Sequence, residues 1–104
     1  MLKKRLEKHI NAFLQSYLED NEEFKELGDS DKLYIYSVLR KLLTLIYQVM
    51  RHPNVYPILL VQNYKSKEII LKAFREVELI IPTVRNIKIE VVNWTNEINF
   101  WYWN

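Results

Sequence analysis

A chain of 104 residues with no cysteine, one glycine and three prolines has room for a single domain. It cannot hold a disulfide framework, a thiolate metal site or a glycine-rich phosphate cradle. The net charge of +2 conceals a segregation, with +3 over residues 1–17, −6 over residues 18–31 and +5 over the remainder, so the chain is not a uniformly basic nucleic-acid binder.

Leu2, Leu6, Ile10, Phe13, Tyr17, Phe24 and Leu27 recur at steps of three and four, with a break where Asp20 falls. The spacing predicts one amphipathic helix over roughly residues 2–26, which Gly28 ends in a left-handed turn. Asp29 or Ser30 is then expected to cap a second helix that runs to Pro53. Asp31 in its first turn and Arg51 and His52 in its last suit the helix dipole. The short link between the two helices predicts an antiparallel hairpin over residues 2–52.

The second helix has one thin polar stripe, Ser37, Lys41, Thr44 and Gln48 with Arg40 beside it, and is apolar elsewhere. Such a helix must be buried nearly all round. One neighbouring helix and one sheet would leave part of it open, so a second subunit is expected against Leu42, Leu45, Ile46 and Val49.

Val55 to Gln62 is a continuous apolar run, read as a strand buried on both faces, with Pro57 marking an edge position near its start. A third helix is expected over about residues 66–80, capped by Ser66 and stopped by Pro82. Ile70, Ala73, Phe74, Val77 and Ile81 form its apolar face, and Glu68 and Lys72 a pair four apart.

The chain closes on a predicted β-hairpin with an even-length loop centred between Thr95 and Asn96. That loop sets Ile87, Ile89 and Val91 on one face with Ile98, Phe100 and Tyr102; an odd loop would break the match. Lys88, Glu90, Val92 and Trp94 then share the opposite face with Asn99, Trp101 and Trp103.

The order helix, helix, strand, helix, strand, strand is that of a single α+β domain over residues 1–104. The helical hairpin is followed by a β-α-β-β unit over residues 55–103. A right-handed crossover makes its first two strands parallel, and the last strand completes a small mixed three-stranded sheet of order 1-2-3. The most apolar strand lies at the edge, where a dimer would extend the sheet.

Catalytic chemistry has little to stand on. His9 and His52 lack an orienting partner, and Ser16, Ser30, Ser37 and Ser66 stand in no nucleophile motif. Glu19, Asp20, Glu22, Glu23 and Glu26 lack the loop spacing of a calcium site. No enzyme activity, metal or cofactor is expected. The first residues have no apolar signal core, and Arg40 and Lys41 interrupt the run from Leu33 to Met50, so a soluble cytoplasmic protein is expected. Abundant Ile, Lys, Asn and Tyr resemble the usage of AT-rich genomes, including many small virus- and plasmid-encoded proteins.

Two kinds of partner remain. Excess apolar surface points to a homodimer, or to an accessory or inhibitory protein that engages another macromolecule, with Trp94, Phe100, Trp101 and Trp103 as anchors. The alternative is a nucleic-acid-binding regulator, in which Lys3, Lys4, Arg5, Lys8 and Lys88 meet phosphates and the tryptophans stack on bases.

Overall fold

The computed structural model describes residues 2–92, with side chains from Lys8 onward. Four helices, α1 (Leu2–Glu19), α2 (Glu22–Lys25), α3 (Asp29–Arg51) and α4 (Tyr64–Ile80), accompany two strands, β1 (Ile58–Val61) and β2 (Lys88–Val91), and a 3₁₀ segment at Pro82–Asn86. The described residues are thus mostly helical with a small α+β sheet. The expected third strand, its hairpin loop and Trp94, Phe100, Trp101 and Trp103 lie outside them.

The first helix is not continuous to residue 26. It ends at Glu19, and Asn21 in extended backbone opens α2, its side-chain oxygen accepting from the Phe24 amide at 2.9 Å. An asparagine offers the backbone this alternative to a helical bond. The break also has an electrostatic advantage: Glu22 and Glu23, which would crowd the negative end of a longer helix, stand in the first turn of α2 instead. Leu18 and Phe24 flank the break and are both buried.

Gly28 is not a left-handed stop. With φ −69° and ψ 166° it is the extended residue that precedes α3, so neither Asp29 nor Ser30 is the cap; both are already helical. Asp29 and Asp31 do occupy the first turn of α3 and Arg51 its last. Likewise Asn63, not Ser66, caps α4, accepting from the Ser66 amide at 2.8 Å, while Ser66 is buried in the first turn. Lys72 turns away from Glu68 to meet Glu23 of α2 at 3.0 Å.

Helix α3 is not buried nearly all round: Ile35, Val38, Leu39, Leu42, Ile46 and Val49 are buried, while Tyr34, Tyr36, Leu43, Leu45, Tyr47 and Met50 are only partly covered. α1, α4, β1 and the 3₁₀ segment all pack on it, and only its polar stripe, its first turn and Leu33 stay exposed. Leu42, Ile46 and Val49, expected as a docking face, have 0% exposure and belong to the core; Leu45 is half-buried at its rim. The expected second subunit is not required to cover them, because the crossover helix α4 and the 3₁₀ segment supply the surface that one helix and one sheet could not.

β1 and β2 pair in parallel, Ile58 beside Lys88 through Val61 beside Val91, with α4 as the crossover. The strand starts after Pro57 and is buried on one face only: Leu59 and Val61 are 3% and 1% exposed, Ile58 and Leu60 54% and 55%. α3 and α4 pack against the sheet, and Ile87 and Ile89 join the core as their alternation predicts.

Two substitutions separate core from surface. Leu42→Ala should lower stability in urea by about 2–5 kcal/mol through the cavity it leaves, with no change in solution mass. Gly28→Ser should raise stability by up to about 1 kcal/mol, since nothing lies within 4 Å of the added Cβ and no side chain now caps α3.

Candidate functional site

The strand pairing decides which groups of β1 are free. The Pro57 carbonyl accepts from the Lys88 amide at 2.9 Å and the Val61 carbonyl from the Val92 amide at 2.8 Å. A residue in a strand directs its N–H and C=O to one side and its neighbour directs them to the other. Leu59 and Val61 therefore bond toward β2, and Ile58, Leu60 and Gln62 present theirs to the outer edge. Gln62 confirms the direction: its amide donates to the Tyr34 hydroxyl of α3 at 2.7 Å. Ile58 and Leu60 have no such partner among the described residues.

This edge is the floor of a groove whose other wall is α3, lined by Lys41, Thr44, Leu45, Ile58, Leu59 and Leu60. The side chains of Ile58 and Leu60 stand on the solvent face of the sheet, where Tyr56, 71% exposed, precedes them two residues away. β1 is four residues long and follows Pro57, which limits the edge to a short segment, and within that segment it carries no charge.

Lys41 is the charged side chain among those lining the groove, while in the sheet Lys88 stands beside Ile58 and Glu90 beside Leu60, paired with each other at 3.5 Å. Residues 32–67 contain Lys32, Arg40, Lys41, Arg51, Lys65 and Lys67 and not one carboxylate. Arg40, Lys41 and Arg51 lie on the exposed stripe of α3, and none of the three takes part in an ion pair among the described residues. The net charge of the chain hides this region, because the acidic block just before it cancels it on paper. The absence of Asp and Glu over so long a stretch was the available sequence signal.

The basic residues expected to meet phosphates are not shown as one patch. Lys3, Lys4 and Arg5 fall in the first turns of α1, without described side chains, and Lys8 is exposed on that helix. α1 packs on α3 and α4, whereas Lys88 stands on the sheet 3.5 Å from Glu90, which offsets its charge.

Elsewhere, Tyr17, Asp20, Asn21 and Lys72 line an open hollow. Hydrogen bonding to Glu76, with burial and the charge of that carboxylate, pushes the Tyr17 phenol above the ordinary value, so it stays neutral at physiological pH. Burial, then the charge and hydrogen bond of Glu19, raise Tyr36 in the same direction. An apolar cleft between α1 and α4 holds His9, Ile10, Phe13, Val77, Ile80 and Ile81 but offers no open strand edge. Among the described residues no three His, Asp or Glu side chains are grouped to hold a metal ion, and no helix is long and apolar enough to cross a membrane.

No protein-family model, curated protein or solved structure matches this chain.

The Tyr34 hydroxyl fixes the end of β1 against α3. Tyr34→Phe should cost about 1 kcal/mol and speed hydrogen exchange at the Gln62 amide, with little change at Leu59 or Val61.

Proposed function

We propose that this protein acts by association, as a small accessory or inhibitory protein that binds another macromolecule through β1, and not by turning over a substrate. The observation that carries this reading is the edge of β1: two aliphatic side chains more than half exposed, on a strand whose outward N–H and C=O groups at Ile58 and Leu60 have no partner among the described residues. Unpaired strand groups beside exposed apolar side chains are the elements of recognition by strand addition, in which main-chain bonds supply affinity and alternate side chains supply selectivity. Self-association in a two-fold dimer is one form of the same activity.

The exposed residues that flank the strand support the reading. Tyr56 precedes the strand and Tyr64 follows it in sequence, 71% and 73% exposed, and aromatic residues are enriched at interface centres.

Selection from a random peptide library, with sedimentation of the full chain in parallel, tests this function. Ligands, or self-association, should be recovered, and Leu60→Asp should weaken them about tenfold or more while the fold persists, since Leu60 is a surface residue. A chain that remains monomeric at about 50 µM and selects no ligand sensitive to Leu60→Asp does not work by association through β1.

A further inference from the structure

We infer that the occupant of the β1 edge is an extended peptide segment rich in acidic side chains, which adds to the sheet as a third strand beside β1 in the groove against α3. This inference rests on the association reading above and names its partner.

The edge specifies an extended backbone. Ile58 and Leu60 each present one donor and one acceptor outward, two residues apart, which is the spacing at which a neighbouring strand presents its own. A nucleic-acid strand has no such repeating donor–acceptor pair, so the unpaired ladder favours a polypeptide. Alternate side chains of the incoming strand would lie toward α3 or toward the open face beside Ile58 and Leu60.

Charge specifies what those side chains carry. Lys41 lines the groove and has no ion-pair partner among the described residues, whereas Lys88 and Glu90, beside Ile58 and Leu60, offset each other. A ligand with Glu or Asp facing α3 gains attraction from Lys41 in the groove.

The same charge disfavours the other occupants. Two copies paired antiparallel through β1 would bring together two grooves that each carry Lys41, with only Ile58 and Leu60 of each strand to bond across the seam. The chain's own residues 93–104 follow from β2, the other strand of the sheet, and carry one acidic side chain, Glu97.

The test uses the full chain labelled with nitrogen-15 and three probes: acetyl-(Glu-Val)4-amide, acetyl-(Lys-Val)4-amide and an oligothymidylate. The acidic peptide should bind with a Kd on the order of 10–100 µM. Its shifts should centre on Lys41, Ile58 and Leu60, and exchange of the Ile58 and Leu60 amides should slow about tenfold or more. Lys41→Glu, a surface change, should weaken the acidic peptide about tenfold and favour the basic one. Binding that maps elsewhere, ignores the sign of the peptide or is stronger for the oligothymidylate overturns the acidic-strand inference and leaves association standing. Ile58 and Leu60 amides already protected in the free chain overturn it too, and dependence on concentration then tells a second copy from the chain's own end. If no probe binds and no ligand sensitive to Leu60→Asp is selected, both readings fall.

Discussion

Parallel pairing of β1 with β2 organises the rest of this molecule. The bonds from Lys88 to Pro57 and from Val92 to Val61 commit the odd-numbered residues of β1 to β2. The pleat then turns the side chains of Leu59 and Val61 into the core and leaves Ile58 and Leu60 outside. A parallel pair needs a long crossover, and α4 fills that role while its buried face, Ile69, Ile70, Ala73, Phe74 and Val77, seals α3 and the inner side of the sheet. One short pairing thus sets the core, the position of α4 and the character of the free edge.

Cover for α3 follows from the same arrangement. A helix so apolar invites a second subunit when only its sequence neighbours are considered. The 3₁₀ segment after Pro82, with Val84 fully buried, and α4 close around it from the other end of the chain. What α3 leaves in the open is its first turn, Leu33 and its polar stripe, of which Lys41 and Thr44 line the groove at the β1 edge. Buried and exposed faces of one helix therefore have separate consequences: the first stabilises the domain, and the second puts Lys41 in the groove.

Burial at the sheet is one-sided, and that changes how the apolar run from Val55 to Gln62 is understood. Continuous hydrophobicity reads as a strand covered on both faces. Here half of the run is at the surface: Ile58 and Leu60 have no helix over them. Apolar residues that folding does not require at such positions are the feature from which the association reading is built.

The sequence alone determined the two long helices α3 and α4, the parallel strand–helix–strand order and the alternation of Ile87 and Ile89, because each rests on local periodicity and short connections. It also placed the polar stripe on α3, residue for residue. It missed the break at Asn21 that separates α1 from α2. Caps escaped it: Asn21, Gly28 and Asn63 act through backbone conformation, which several neighbouring residues could have adopted equally well. Only the tertiary structure decided that Leu42, Ile46 and Val49 face inward, since part of the cover of α3 comes from α4 and the 3₁₀ segment, far along the chain. The edge of β1 was equally out of reach, because which amides stay unpaired depends on the partner strand, and no periodicity within one strand records that choice.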